Sequence, residues 1–501
     1  MAPRQKQQLD VDIVVIGAGL SGLMYGIVAC QKGYRVAVVE KHFKPGGYAT
    51  NFARERQSYV FDCSLHKITG LGPQGNLRDA LMRAKLWDKL EFHFYDRLSC
   101  IVIGERRYEI PADPAELQRR LQAWFPASRA GLDRFFEDVA THGRQNYMFA
   151  RMALGEYTLD RNLLERSREL SRIRAKQYFT DLFADADLVL IFSTLAINLG
   201  VVAEDADALY YLHFAYTFLT QQAAYVMGSS QSLSDALAAE VCRLGGSVHL
   251  KERVEAVNVV DGAIASVESR TCLFNTSRVV ATCCPNVLHS ALRPADALGD
   301  AFRAKLAGLE LGYGAFSVYL ALDVPPEQLG FEQSEYLISD TDVRDLAPEE
   351  RQSDERYLRL PLGITNYHKL DPSLGPIVVM TVLEHAGRWF ELEKAEYKAE
   401  KARVMQLLLA RALRVFPQLA GHILVQEAST PRTNQRYTSS PGGSAFGYKA
   451  VPARNVRFLQ RPSVRGLSFC GTWVSGAGYE PAMCLGFTQA TLLPDAALAT
   501  G

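Results

Sequence analysis

Residues 11–47 constrain this chain most: VDIVVIGAGLSG runs into a helical stretch, then into RVAVVEK, then into KPGG. An apolar strand over 11–16 delivers the backbone into Gly17-Ala18-Gly19-Leu20-Ser21-Gly22. Without β-carbons there, a pyrophosphate can approach the N–H groups of a helix N-terminus. The second strand, 36–39, ends in Glu40, eighteen residues beyond Gly22, where a carboxylate accepts hydrogen bonds from ribose hydroxyls. It would repel a ribose phosphate, so NADP is disfavoured. The glycine pattern alone is weak evidence. Strand, glycines, helix, second strand and acid in register together specify a dinucleotide-binding α/β unit.

Bulk properties exclude other classes. Fifty-five Lys+Arg balance fifty-five Asp+Glu, and no basic arm appears, so nucleic acid is not an expected partner. The opening MAPRQKQQLD has no apolar core of the kind a secretory signal needs, and a cytoplasmic location is expected. Nine scattered cysteines without any CxxC read as reduced thiols, with neither a disulfide framework nor a metal site. The adjacent Cys283 and Cys284 read as packing residues at a strand end, with a redox role as the lesser alternative. Residues 188–203 form an uncharged run shorter than the roughly eighteen residues of a spanning candidate. Residues 208–227 are longer but carry His213, Gln221 and Gln222, so a buried helix is expected. Its aromatics (Tyr210, Tyr211, Phe214, Tyr216, Phe218, Tyr225) read as a core stripe or, second, as the wall of a lipophilic tunnel.

The α/β pattern is interrupted twice. Residues 76–225 are dominated by helical periodicity, and 228–260 return a polar loop, an amphipathic helix, a Gly-Gly stop and a β-rich pair. Residues 278–283 read as a buried strand. Strand-like runs follow at 315–322, 335–339 and 377–384, then a long helix near 395–415, while 350–376 read as a polar, proline-punctuated surface loop. The final stretch returns a strand, a Gly-rich turn and a closing helix. The expected fold is therefore α/β: a discontinuous Rossmann-like nucleotide domain (1–75, 226–290 and 455–501) plus an α+β substrate domain with a mixed or antiparallel sheet and inserted helices (76–225 and 291–454). Gly70-Leu71-Gly72-Pro73-Gln74-Gly75 also matches GxGxxG, but no clear apolar strand precedes it and Pro73 constrains the turn, so it is set aside.

Several motifs carry a family resemblance. GAGLSGL through Glu40 to Pro45-Gly46-Gly47 is similar to the first motif of the two-dinucleotide-binding-domain flavoproteins. Phe61-Asp62-Cys63-Ser64-Leu65-His66, the stretch MGSSQSLSDALAAEVCRLGGSVHLKERVEAV, and Gly471-Thr472 with Gly476 through Gly486 resemble the flavin-dependent family of phytoene desaturases, carotenoid isomerases and retinol saturases. That family lies within the amine-oxidase-like fold. Thr430-Pro431-Arg432-Thr433-Asn434-Gln435-Arg436-Tyr437, with Pro441-Gly442-Gly443 and Phe446-Gly447-Tyr448, resembles its saturase and isomerase branches more than the desaturases. The closing motif departs from the family in reading Gly478-Tyr479-Glu480-Pro481.

The resemblance implies FAD, held by Gly17, Gly19, Leu20, Ser21, Gly22, Glu40, Lys41, Gly46, Gly47, Tyr48, Val254, Gly471, Thr472, Pro481, Ala482 and Met483. A helix N-terminus expected at 481–486 would stabilise the reduced flavin. The implied reaction is hydride transfer at C–C or C=C bonds of a lipophilic polyene, isoprenoid or polyketide-like substrate, free or carrier-bound. His66, Tyr437 and Glu480 are the candidate acid–base residues; for each, a structural or surface role is the alternative. Arg436 is a candidate for a substrate carboxylate, or a solvated cation. The basic stretch 166–176 reads as a solvated helix face or a peripheral membrane contact. The rival readings are a reduced-flavin-dependent double-bond isomerase, an amine oxidase, and a non-enzymatic lipid-binding escort protein.

Overall fold

The runs Ile13–Ile16 and Val36–Val39 are buried along their whole length, as strands of a parallel sheet covered on both faces must be. A computed structural model describes residues 6–339, 355–385, 387–449, 456–476 and 478–499. In it the strand order Ser247–His249, Val36–Val39, Ile13–Ile16, Val279–Ala281, Leu467–Phe469 forms a parallel five-stranded sheet. Its strands come from three distant stretches of chain.

The helix Leu20–Gln31 has no polar face; almost every residue in it is buried. It packs on two helices that also come from distant stretches, Ser230–Arg243 and Tyr479–Thr491. Small residues permit the approach. A β-carbon on Gly486 would strike the Ser21 backbone, and one on Gly22 would strike the Gly17 carbonyl oxygen and crowd Val15. A second sheet, in the order Gln7–Asp10, Cys272–Asn275, Ala263–Ser269, Val254–Val260, Leu292–Arg293, flanks this unit.

The other large sheet has seven strands, in the order Ile423–Ser429, Gly314–Leu322, Ile377–Glu384, Leu362–Asn366, Glu335–Ser339, Arg97–Ile103, Arg106–Pro111. All pairs are antiparallel except Glu335–Ser339 with Arg97–Ile103. Period-2 alternation separates its faces. Val318, Leu320 and Leu322 join the core beneath the helix Lys394–Val415, whereas Tyr319 and Ala321 join the core shared with the inserted helices and the nucleotide unit.

Three elements depart from the sequence reading. The stretch read as helical contains the hairpin Arg97–Ile103/Arg106–Pro111, whose first strand is buried on both faces and so lacks a distinctive period. The supposed surface loop contains Leu362–Asn366, an inner strand of the seven. Gly363 and Asn366 are poor strand formers, and neighbours on both sides override that preference; residues 350–354 of the same stretch lie outside the described residues. The basic stretch 166–176 is not one amphipathic helix. Leu164–Leu170 stops and a new helix begins at Ala175, with Arg174 donating to the Asp205 carbonyl at 2.8 Å and Lys176 pairing with Glu204 at 3.2 Å.

The two apolar runs become the helix Ala186–Leu195 and the helix Ala208–Thr220 followed by the strand Ala224–Val226. Tyr211, Phe214, Tyr216 and Phe218 are buried in the core. No helix among the described residues is long and apolar enough to cross a membrane. All nine cysteines are free thiols.

The close approach at Gly22 can be tested directly. Gly22→Ala is expected to destabilise the fold by about 1–3 kcal/mol through overpacking, read as a lower denaturant midpoint with an unchanged slope.

Candidate active site

The parallel strands end at a cavity of about 340 Å³. Gly17, Gly19, Leu20 and Ser21 form one wall, Glu40, Lys41, Gly46, Gly47 and Tyr48 a second, and Gly471, Thr472, Gly478, Tyr479 and Ala482 a third. Val254 lines it from the flanking sheet.

The glycine turn is built for a ligand. The helix Leu20–Gln31 starts at Gly19 with no side-chain cap and no acid in its first turn, which leaves its leading N–H groups free of side-chain partners. A β-carbon on Gly19 meets no atom within 4 Å, so this position faces open cavity. Gly46 is held against the turn by its N–H, which donates to the Ala18 carbonyl at 2.7 Å; its φ of +123° and the crowding of Ala49 and Ser234 admit no side chain. Glu40 accepts from the Ala18 N–H at 2.9 Å and the His42 N–H at 2.8 Å, one on each carboxylate oxygen. Each oxygen keeps a lone pair for a ribose hydroxyl. Lys41 Nζ donates to Ser439 Oγ at 2.6 Å, joining the acid-bearing strand to the C-terminal end of the helix Pro431–Thr438.

The closing helix, Tyr479–Thr491, starts two residues before the expected 481, and Gly478 at its head offers no side-chain cap. Its first turn presents Tyr479 and Ala482 to the cavity; Pro481 and Met483 do not line it, and Met483 is fully buried in the core. Gly22 likewise packs against the turn behind the cavity.

The candidate acid–base residues separate. Tyr437 is half exposed outside the cavity, edge-on to His42 with ring centroids 5.9 Å apart, and Arg436 lies exposed beside it. Glu480 is buried, is not a cavity-lining residue and is not at the surface. It accepts hydrogen bonds from Tyr147 OH at 2.5 Å, Thr217 Oγ1 at 2.6 Å and Thr69 Oγ1 at 2.8 Å. Burial pushes its carboxyl above the ordinary carboxylate value, against those three hydroxyls. Gly70 packs on this carboxylate. The second GxGxxG is therefore a structural turn: the helix after it has its first N–H groups taken by Tyr147 OH and the Gly70 carbonyl.

His66 does line the cavity, together with Ser64 and Lys67. Asp62 anchors this segment. It is fully buried and accepts from the N–H groups of Ser64, Leu65 and Ser230, from Ser230 Oγ at 2.9 Å and from Tyr225 OH at 3.2 Å. Tyr367 OH donates to the Leu65 carbonyl at 2.6 Å and Tyr95 OH to that of His66. His66 Nδ1 and Lys67 Nζ both contact Glu335 Oε2, the histidine at 2.8 Å.

Sequence reasoning missed Lys67 and Glu335. The first adjoins His66, and the second is an acid opening an otherwise apolar strand, EYLIS. It also missed Thr282, Cys283, Asn198 and Phe446 as cavity residues. Burial pushes the Cys283 thiol up to about 12, so it stays protonated.

A cavity at the carboxyl ends of a parallel sheet, with a glycine turn, the Glu40 carboxylate and the head of the closing helix around one space, has the arrangement of a dinucleotide-binding protein. Residues 20–485 match the family of flavin containing amine oxidoreductases, and the chain belongs to that family. Its cofactor is FAD. The all-trans-retinol 13,14-reductase of Danio rerio is 24% identical over 481 residues, covering 87% of this chain and 77% of that protein. The chloroplastic prolycopene isomerase of Daucus carota is 24% identical over 547 residues, covering 98% and 83%. Among solved structures, wild-type putrescine oxidase bound to putrescine superposes with a TM-score of 0.65 at 16% identity, covering 97% and 99% of the two chains. Cyclohexylamine oxidase from Brevibacterium oxydans gives 0.63 at 16%, covering 96% and 98%. At that identity the likeness is one of fold.

Gly19→Val places its β-carbon where no other atom lies within 4 Å and fills the cavity beyond it, so it is expected to yield colourless apoprotein with near-native stability, checked by visible absorbance and thermal unfolding. For Glu480 the sign follows from its raised value. An acid raised in the folded state contributes its full stability while protonated and loses it as pH rises from about 4.5, its ordinary value, through the folded one. Glu480→Gln keeps the shape and one acceptor oxygen and removes the titration, so its Tm is expected to rise relative to wild type as pH increases across that window.

Proposed function

We propose that the chain transfers hydride between FAD and C–C or C=C bonds of a lipophilic polyene, isoprenoid or polyketide-like molecule, saturating or desaturating it. The observation that carries this reading is one cavity containing both the flavin-binding elements and an apolar wall of Ile197, Phe446 and Tyr479, with His66 and Lys67 as neighbouring proton-carrying side chains. The names of the relatives, a retinol reductase and a prolycopene isomerase, favour polyenes over amines. An isomerase that uses reduced flavin without net turnover is the second reading, suggested by the name of the prolycopene isomerase relative.

The assigned cofactor residues (Gly17, Gly19, Leu20, Ser21, Glu40, Lys41, Gly46, Gly47, Tyr48, Val254, Gly471, Thr472 and Ala482) would hold FAD, with Gly22 maintaining the turn and Pro481 and Met483 the closing helix. When bound, FAD supplies the two-electron acceptor or donor. This chain's part is to exclude water, orient the polyene and move one proton. In the saturating direction His66 Nε2–H gives a proton to the carbon beside the one that gains hydride; in the desaturating direction Nε2 takes it. A conjugated chain spreads the charge that develops between those events, so few polar groups are needed. Such a substrate is insoluble in water, which calls for delivery by a carrier protein or by peripheral contact of a cytoplasmic enzyme with a membrane.

Anaerobic mixing tests the reading. With prereduced enzyme, a polyene is expected to restore the oxidised flavin spectrum and gain one hydrogen pair by mass. A product of unchanged mass selects the isomerase, whereas inert polyenes together with an amine that bleaches oxidised flavin and releases hydrogen peroxide in air would overturn both. His66→Gln is expected to keep its flavin and lose about 10²-fold or more in turnover.

A further inference from the structure

His66, Lys67 and Glu335 form a unit whose hydrogen-bond logic leaves one solution. The Glu335 carboxylate reaches in from the first residue of the strand Glu335–Ser339, with its side chain 2% exposed. Both contacts fall on one oxygen, Oε2; the other, Oε1, is buried without a partner among the described residues. Lys67 is equally buried; burial pushes its amine below the ordinary lysine value while the Glu335 carboxylate pulls the other way, and its Nζ lies 5.2 Å from the centroid of Tyr95 and 5.8 Å from that of Phe218. An ammonium only donates, and an ionised carboxylate only accepts. The nitrogen facing that carboxylate must therefore carry hydrogen.

We infer that Glu335 is a positioning residue that holds His66 in its Nδ1–H tautomer and so presents Nε2, bare in the neutral ring and protonated in the charged one, to the cavity. The inference deepens the role given to His66 above and rests on that reading for its catalytic consequence. Nε2 has no protein partner among the described residues, and His66 lines the cavity. Burial by itself would push the Glu335 carboxyl up, but Lys67 and His66 reverse that and hold it well below the usual range, so it remains an acceptor. The backbone on either side is held as well: Tyr95 and Tyr367 bond the His66 and Leu65 carbonyls, and Asp62 bonds the Ser64 and Leu65 amides. Ring orientation and tautomer are thus set by an acid from the seven-stranded sheet, while the histidine itself belongs to the segment that follows the nucleotide motif.

The test is a ¹⁵N-imidazole NMR spectrum of the FAD-loaded wild type, with the His66 signal assigned by its absence in His66→Gln, recorded where the ring is neutral. Expected is a pyrrole-type Nδ1 and a pyridine-type Nε2. The opposite pattern overturns the inference, and this reading needs no variant to fold. Glu335→Gln, which keeps shape and removes the charge, is expected to lose the fixed Nδ1–H pattern while retaining bound flavin, and to lower kcat about 10²-fold with KM within about twofold. Loss of the pattern with kcat unchanged would also overturn it. If the wild-type spectrum is as expected but His66→Gln turns over normally, the tautomer assignment survives and the catalytic role given to His66 falls.

Discussion

The strand Ile13–Ile16 is the constraint on which the rest depends. It lies at the centre of the parallel sheet, and its two edges are satisfied by strands from different parts of the chain, Val36–Val39 from the same motif and Val279–Ala281 from more than two hundred residues on. A buried strand cannot leave backbone N–H and C=O groups unpaired. Its pairing therefore draws the separated stretches together, and its carboxyl end delivers the glycine turn to the one place where all of them meet. The packing of Leu20–Gln31 against the closing helix repeats that logic with side chains, since only glycine at 486 and small residues opposite allow two apolar helices to come so near.

Asp62 does for the segment that carries His66 and Lys67 what that strand does for the glycine turn. A single buried carboxylate bonds the amides of Ser64 and Leu65 on one side and the first turn of the helix Ser230–Arg243 on the other. This ties the backbone of His66 and Lys67 to the nucleotide unit. Their side chains are then tied to the seven-stranded sheet through Glu335. A buried charge with such partners is costly to disrupt, because removing one partner leaves the other uncompensated. The site is accordingly a junction between two sheets.

Glu480 illustrates how a local departure from a family pattern is absorbed. An acid in the first turn of a helix is electrostatically favourable, and its three hydroxyl donors come from three different segments at Thr69, Tyr147 and Thr217. The carboxylate is thereby used for packing the inserted helices against the nucleotide unit, on the far side of the helix from the residues that line the cavity.

From the sequence alone, the glycine turn, the acid that follows the second strand, the interrupted α/β order and the need for a second sheet could all be read, because each rests on short-range physics: glycine conformations, fully apolar strand runs and the spacing of turn to acid. The hairpin Arg97–Ile103/Arg106–Pro111 and the strand Leu362–Asn366 could not. One is buried on both faces and the other carries poor strand formers, so both owe their form to neighbours distant in sequence. The same division runs through the site. His66 was visible as a residue type in a motif, but that it faces the cavity while Tyr437 faces solvent and Glu480 faces three hydroxyls is a matter of which segments meet in space. Glu335, 269 residues away, stands out in the sequence only as an acid opening a strand-like run, since a hydrogen bond to His66 across that separation exists only once the chain has closed upon itself.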